Sequence, residues 1–312
     1  MSNQKSIKII FLGTPNFAAP TLKALIADER FDILAVITQP DKPVGRKQTP
    51  TPPPIKVIAE KNKILVHQPD NIKDSAGFIK NLNPDLAVLI AYGQIIPKII
   101  LDIPAYGFIN IHGSLLPKYR GAACIQAAIL NNDGKTGLTI MQVEPKLDTG
   151  PILKQDEIKI NKEETGETLH DKLSLLGANI LPDTAMQYVA GNITPQPQDN
   201  TKSSYVPTLK KQDGRIDWSK SAEEIDRLIR AMNPWPSAWT TWNKKQIKII
   251  SAFPTSASEY TPGQVFLHNQ QLAIQCGQNA LIIKKLQLEG KKAMTAEDFL
   301  RGQQNFIGQT LT

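Results

Sequence analysis

Short apolar runs alternate with helical patterns along the first 190 residues, and this alternation constrains the fold more than any other feature. Residues 7–12 form a strand-like run, a helical pattern covers 18–27, and 33–38 is the next apolar run. Strand, helix and strand in this order make the βαβ unit of a parallel sheet. We therefore predict an α/β domain with a doubly wound, mostly parallel, Rossmann-like sheet.

The alternation continues to residue 190 and supplies the other elements of this domain. Apolar runs at 86–91, 107–112 and 137–143 fit buried strands, and the more polar run at 152–160 fits an edge strand. Residues 165–188 show helical spacing of leucine and isoleucine. Ligands of such sheets bind beyond the carboxyl ends of the strands. We expect the site at the following ends: Gly13-Thr14, Ala91-Tyr92-Gly93, His112-Gly113 and the loop after Val143.

The chain changes character after residue 190. Residues 191–207 are polar, contain prolines and lack periodicity, which predicts an interdomain linker between a domain at 1–190 and one at 208–312. The second part carries five short strand-like runs after a helical pattern at 222–232. Short strands separated by turns predict a smaller, OB-like β-barrel.

Composition excludes several classes of protein. The 312 residues contain no run of eighteen apolar residues, so no membrane span is expected. The N-terminus fits a first strand better than a signal peptide. The two cysteines, Cys124 and Cys276, are far apart, which favours free thiols in a reducing cytoplasm. The four histidines lack the paired spacing of metal ligands, so no metal is expected.

Basic residues are concentrated in two places. Residues 208–312 carry 14 Lys and Arg against 9 Asp and Glu, which gives +5 of the net charge of +7. A second basic stretch is the loop at 39–54, where six prolines predict exposed chain without regular structure and Lys42, Arg46 and Lys47 supply charge. Both features favour a polyanionic partner that is bound through phosphate contacts.

The segment at 107–120 carries the most specific chemistry. Asn110 and His112 are two residues apart, so they point to the same side of a strand, and Gly113 opens a loop directly after it. An amide donor and an imidazole on one face can stabilise the oxyanion of an acyl transfer. Asp148 lies in a tight Leu-Asp-Thr-Gly-Pro turn and can orient the imidazole or favour its protonated form. A G-x-S-x-G nucleophile motif is absent, so we expect the acceptor to attack directly.

Several motifs resemble those of the folate-dependent formyltransferases. They are the run Asn110-Ile-His-Gly-Ser-Leu-Leu-Pro117, the Arg-Gly-Ala-Ala that begins at Arg120, and the Leu-Asp-Thr-Gly that ends at Gly150. The Arg-Ile-Asp-Trp and Asn-Pro-Trp-Pro segments of the second part favour the branch that acts on tRNA. The resemblance implies that a formyl group passes from 10-formyltetrahydrofolate to the α-amine of initiator methionyl-tRNA.

The resemblance also implies roles for individual residues. Asn110 and His112 would stabilise the oxyanion, and Asp148 would help to remove the proton of the amine through water. The folate would lie against the following residues: Tyr92, Gly93, Ser114, Leu115, Leu116 and Pro117. Lys42, Arg46 and Lys47 would hold the acceptor arm of the tRNA. The family often has arginine where this chain has Lys42, and lysine lacks the planar fork of arginine.

Three other functions fit part of the sequence. A formyltransferase that acts on a small amine, such as an amino-sugar nucleotide or glycinamide ribonucleotide, would use the same three catalytic residues. A hydrolase that releases formate from the folate would use water as acceptor. An RNA-binding protein without catalysis would leave Asn110, His112 and Asp148 unexplained. A monomer is the default expectation for the oligomeric state.

Overall fold

A computed structural model describes residues 6–45 and 48–312 of the chain. The chain forms two compact units. The first unit runs to Gly121 and includes Thr136–Ile158 and His170–Val206, and the second comprises Ala122–Lys135, Lys159–Leu169 and Pro207–Thr312. The domain limits expected from the sequence, 1–190 and 208–312, stay a prediction.

The chain is rich in short elements. The strands are β1 (Ile7–Gly13), β2 (Phe31–Ile37), β3 (Lys42–Val44), β4 (Thr49–Thr51), β5 (Leu65–His67), β6 (Leu86–Ile90), β7 (Phe108–His112), β8 (Arg120–Gly121), β9 (Lys135–Gln142), β10 (Ile152–Lys159), β11 (Tyr205–Val206), β12 (Ala238–Trp242), β13 (Lys245–Thr255), β14 (Val265–His268), β15 (Gln271–Gln275), β16 (Ala280–Leu288) and β17 (Met294–Thr295). The helices are α1 (Ala19–Ala27), α2 (Pro54–Lys61), α3 (Ala76–Leu82), α4 (Lys98–Leu101), α5 (Cys124–Leu130), α6 (Gly166–Val189), α7 (Ala222–Ala231) and α8 (Ala296–Gly302). Among the described residues, none of these helices has the length and apolar content that a membrane crossing needs.

The first unit contains a seven-stranded sheet in the order β10-β9-β7-β6-β1-β2-β5. β1 pairs in parallel with β2 and β6, and β5 and β7 continue the parallel part on either side. β1 is almost entirely apolar because the strand lies in the middle of the sheet, where Ile9 and Leu12 are fully buried. The predicted mostly parallel sheet is confirmed, and β10 lies at its edge.

One strand of this sheet changes direction. β9 runs antiparallel to β7, with Ile109 opposite Gln142 and His112 opposite Thr139. The C-terminal end of β9, where the loop at 143–151 begins, therefore lies beside the N-terminal end of β7. The expectation that this loop follows the carboxyl end of a parallel strand was wrong. The apolar pattern of a buried strand is the same in both directions, which is why the sequence did not reveal this reversal.

Two short strands in the described part of the basic stretch at 39–54 pair as a two-stranded ribbon, so the prediction that the stretch lacks regular structure was wrong. β3 and β4 pair antiparallel, with Pro43 opposite Pro50, and the described side chains of the ribbon are exposed. Prolines are tolerated in such edge strands because the missing N–H group can face solvent. Lys42 is exposed on β3, whereas Arg46 and Lys47 lie outside the described residues.

The second unit is built on a mainly antiparallel sheet with the order β12-β13-β16-β15-β14, and β17 pairs with β16. Its core includes Trp218, Trp242, Phe299 and Phe306. A smaller sheet domain is thus confirmed. A closed OB-like barrel is not, because no ladder joins β12 to β14 in the part of the chain that the structure describes.

Residues 191–206, which we call the strap, are packed along the first unit. Its last residues form β11, which pairs in parallel with β8. Gly121 in β8 has a φ of +101°, and a Cβ there would lie 2.3 Å from the carbonyl oxygen of Val206. The close approach of the two strands therefore requires glycine at this position. The role of 191–207 as a linker stays a prediction.

Candidate active site

Asn110 and His112 lie on the same side of β7. Asn110 is opposite Met141 and next to Leu89, so it stands in the interior of the sheet. The two side chains are 9% and 7% exposed. Polar side chains in an apolar strand are costly to bury without partners, which marks this pair as a site.

The contacts of His112 assign its tautomer. Nε2 lies 2.8 Å from the backbone carbonyl oxygen of Tyr119, and a carbonyl can only accept. Nε2 therefore carries a proton and donates it to Tyr119. The other ring nitrogen, Nδ1, lies 3.6 Å from Oδ2 of Asp148, a distance suited to an ion pair with the protonated ring. Nδ1 is thus the nitrogen whose protonation state can change beside the carboxylate.

Asp148 is held in place by its backbone and by its carboxylate. The backbone of this residue has a φ of +54°, which is uncommon for a residue other than glycine. Oδ2 accepts a hydrogen bond of 2.8 Å from the backbone N–H of Gly121. The turn continues through Gly150, where a Cβ would lie 1.9 Å from the carbonyl oxygen of Gln142. A tight turn thus carries the carboxylate to the imidazole.

The side-chain amide of Asn110 has no hydrogen-bond partner among residues 6–45 and 48–312. His112 and Asp148, in contrast, each make a polar contact with the backbone at 119–121. A buried amide without a protein partner is free to donate to a ligand. Asn110, His112 and Asp148 together present one free donor, a ring that can carry positive charge and a carboxylate, a set that can stabilise an oxyanion and accept a proton.

The four predicted folate residues in the loop after β7 differ in how deeply they are buried. The Ser114 hydroxyl is fully buried and donates to the Lys118 carbonyl at 2.6 Å. Leu116 is also buried, and its backbone bonds to Thr139 and Gln155. Leu115 and Pro117 are only half-buried. The buried pair thus fixes the loop, and the half-buried pair keeps surface that a ligand can contact.

The residues after β6 form a second part of the site expected from the sequence. Tyr92 is 2% exposed, and burial raises the pKa of its hydroxyl to about 12. That hydroxyl has no partner within the described chain, whereas the backbone oxygen of Tyr92 accepts from Thr14 at 2.9 Å. Gly93 is exposed, with a φ of +94° and open space around it. These features leave room beside Gly93 for a flat ligand.

Lys42, the one remaining predicted residue that the structure describes, is not joined to this group. Lys42 lies on the exposed ribbon, and no contact of Lys42 with Asn110, His112 or Asp148 is found in the described chain. No cluster of three or more metal-ligating side chains exists among the described residues. The structure adds two contacts that no sequence pattern predicted, since Gln198 and Ser204 of the strap bond to the segments around the site. Both residues lie in a polar stretch that contains prolines and lacks periodicity, so no pattern distinguished them from their neighbours.

Comparison with protein families gives two matches along the chain. The formyl transferase family matches residues 7–185, and the C-terminal domain of formyl transferases matches residues 208–304. Solved structures share the fold. They include an N-formyltransferase from Helicobacter canadensis in complex with folinic acid and dTDP-3-aminofucose (22% identity, TM-score 0.67, 89% of this chain and 99% of that one). HypX from Aquifex aeolicus in complex with tetrahydrofolic acid is also similar (15%, 0.67, 97% and 48%).

Curated relatives are more similar in sequence. The methionyl-tRNA formyltransferase of Geobacter metallireducens is 45% identical over 300 residues, which cover 95% of this chain and 96% of the relative. The enzyme of the same name from Bacillus velezensis is 44% identical over 309 residues and 97% of each chain. Such identity over nearly the full length of both proteins, together with two matching domains, shows that the chain belongs to the formyltransferase family.

Proposed function

We propose that the protein transfers the formyl group of 10-formyltetrahydrofolate to the α-amino group of methionine on initiator methionyl-tRNA. The observation that carries this proposal is the free, buried amide of Asn110 beside the His112–Asp148 pair. The relatives named methionyl-tRNA formyltransferase support the choice of acceptor. The formylated product would serve the initiation of translation in the cytoplasm.

The proposed reaction places charge where the site has donors. The amine attacks the formyl carbon, a new C–N bond forms, and negative charge develops on the formyl oxygen. Asn110 donates to this oxygen through its amide, and the protonated Nδ1 of His112 stabilises it by charge. Removal of one such donor from an oxyanion site costs about 10²–10³ in rate.

The protons also balance without a covalent enzyme intermediate. The attacking amine loses one proton, and the nitrogen of the folate gains one as its bond to the formyl carbon breaks. Asp148 accepts the first proton through water, with its carboxylate positioned by Gly121 and close to His112. Direct attack agrees with the lack of a cysteine in the set, because Cys124 and Cys276 are both buried.

The folate would bind along the half-buried part of the loop after β7. Leu115 and Pro117 offer apolar surface, and Gly93 offers open backbone on the segment after β6. The Tyr92 hydroxyl is buried behind this backbone, so it would support the pocket without contacting the folate. Ser114 and Leu116 would hold the shape of the pocket from behind.

Features of the second unit support a tRNA acceptor. Lys210, Lys211 and Arg215 are exposed, and no ion pair joins their side chains to a carboxylate within the described chain, although the Asp213 carboxylate accepts from the backbone N–H of Lys210. Trp235 is 57% exposed in the same unit, and the guanidinium of Arg215 lies 6.0 Å from the ring of Trp239. Cations interleaved with exposed aromatic rings suit phosphates and stacked bases. Lys42 of the ribbon, together with Arg46 and Lys47, which lie outside the described residues, would contact the acceptor arm of the tRNA.

The second unit would be an OB-like barrel that its own C-terminus completes. Thr312 exchanges backbone hydrogen bonds with Thr241 of β12, and the carbonyl of Gln309 accepts from Val265 of β14. The last residues thus bond to both outer strands of the open sheet. We expect the whole protein to act as a monomer.

The proposal is tested by measuring formylation of several acceptors with 10-formyltetrahydrofolate. We expect rapid transfer to methionyl-tRNA, none without the folate donor, and a steep fall in rate with salt, because a polyanionic substrate releases counterions on binding. Faster transfer to an amino-sugar nucleotide with a flat salt response would contradict it. Formate release at the same rate without any amine would indicate a hydrolase.

A further inference from the structure

The strap bonds to both segments that support His112 and Asp148, which we call the catalytic pair. Gln198 donates from Nε2 to the backbone carbonyl oxygens of Asp148 at 3.0 Å and of Gly150 at 2.8 Å. Its Oε1 accepts from Nε and Nη2 of Arg120 at 3.1 and 2.7 Å. One half-buried amide therefore ties the turn that carries Asp148 to the β8 residue that precedes Gly121.

A second residue of the strap fixes the same region. Ser204 accepts from the backbone N–H of Tyr119 through Oγ at 2.9 Å, and its carbonyl accepts from the N–H of Arg120 at 2.8 Å. These residues carry the groups that contact the catalytic pair, since the Tyr119 carbonyl accepts from His112 and the Gly121 N–H donates to Asp148. The strap thus acts on the backbone partners of the pair and not on the pair itself.

We propose that Gln198 is a positioning residue that sets the Asp148 carboxylate against Nδ1 of His112. The Asp148 backbone has a positive φ, and a conformation of this kind persists only where neighbouring groups hold it. Gln198 supplies two of those bonds, one on each side of Thr149. This inference rests on the proposed function, because it assumes that Asp148 takes part in formyl transfer.

Gln196 offers a matched control in the same segment. It is exposed, and among the described residues its side-chain amide donates only to the nearby carbonyl of Thr194. Its backbone, which side-chain substitutions leave in place, bridges to Ile152. Gln196→Ala therefore removes a glutamine from the strap without touching the Asp148 turn.

The test compares Gln198→Ala and Gln198→Glu with Gln196→Ala in methionyl-tRNA formylation. The glutamate variant keeps the volume of the side chain and its acceptor for Arg120, but it cannot donate to the two carbonyls. We expect both variants at Gln198 to lower kcat about 10- to 100-fold, with KM for both substrates within about twofold, because the error lies in the geometry of a catalytic group. Gln196→Ala is expected to keep the activity of the unaltered protein.

A double-mutant cycle separates positioning from a general loss of structure. If Gln198 acts through Asp148, then Gln198→Ala costs less than about twofold when added to Asp148→Asn. A loss that multiplies fully in the double variant would overturn the inference, as would unchanged kcat in both variants at Gln198. Unchanged transfer in Asp148→Asn alone would instead contradict the proposed catalytic roles, so the two failures are distinguishable.

Discussion

Asp148 places Oδ2 3.6 Å from Nδ1 of His112 and 2.8 Å from the backbone N–H of Gly121. The carboxylate is therefore held by a backbone hydrogen bond that does not depend on the charge of the imidazole. This bond keeps Asp148 in position beside the His112 ring. A substitution that keeps the hydrogen bond to Gly121 but removes the negative charge therefore tests the charge of Asp148 by itself.

Asp148→Asn retains an oxygen that can accept from Gly121 but removes the negative charge beside His112. We expect kcat for formyl transfer to fall about 10²–10⁴-fold, the usual range for loss of an acid–base group, with unchanged tRNA affinity. Steady-state kinetics and a binding titration measure the two effects. Asp102→Asn serves as the control for charge, because Asp102 is exposed and, within the described chain, forms an ion pair only with Lys98. Equal losses in both variants would rule out a specific role.

Gly121→Ala tests the packing of the strap. The new Cβ would lie 2.3 Å from the Val206 carbonyl oxygen, at a φ of +101°, so the strand pair has to separate. We expect a loss of about 2–4 kcal/mol in the free energy of unfolding, the range of large effects from strain and overpacking. Gly77→Ala is the control, since its Cβ would meet nothing within 4 Å. Chemical denaturation of both variants measures the difference. Equal stabilities would show that the strap does not pack closely against Gly121.

Tyr92→Phe removes a buried hydroxyl that has no partner among the described residues. We expect the free energy of unfolding at neutral pH to stay equal or rise by about 1 kcal/mol. The pKa of Tyr92 is raised to about 12 from an ordinary value of 10.0, because burial favours the neutral hydroxyl. The stability that depends on this neutral form is complete below pH 10 and is lost as pH rises from 10 through 12. The phenylalanine variant should escape this loss, which unfolding curves at several pH values would measure. Lower stability of the variant at pH 7 would show that the hydroxyl has a partner.

Trp235→Ala tests the exposed aromatic surface of the second unit. Stacking of a base on an aromatic side chain contributes about 1–3 kcal/mol, so we expect KM for methionyl-tRNA to rise about fivefold or more. KM for the folate donor should not change. Phe253→Ala is the control, since this side chain is 40% exposed in the same unit and lies under Lys284. An equal rise in KM for both variants would mean that Trp235 has no particular role.

Sequence patterns predicted the parts of the protein where local periodicity decides the structure. The parallel sheet followed from its apolar runs, and the shared face of Asn110 and His112 followed from their spacing on β7. The edge position of β10 followed from its alternation of polar and apolar residues. In each case, one element carries the information.

Features that depend on contacts between distant segments could not be predicted. The direction of β9 leaves no trace in its apolar pattern, and the pairing of Pro43 with Pro50 depends on two strands meeting. The bonds from Gln198 to the Asp148 turn join residues that are 50 and 48 positions apart. No periodicity encodes such contacts, so a polar stretch without periodicity predicts a linker but not the bonds that it makes.

His112→Ala tests the central claim that formyl transfer takes place beside Asn110, His112 and Asp148. The measurement is the single-turnover rate of formyl transfer from 10-formyltetrahydrofolate to methionyl-tRNA, with Kd for the tRNA determined on the same preparation. We predict a rate about 10²–10³-fold below that of the unaltered protein, because the positive charge that stabilises the oxyanion is lost, and a Kd within about twofold. A rate within about threefold of the unaltered protein, or a parallel loss of rate and tRNA affinity, would contradict this account.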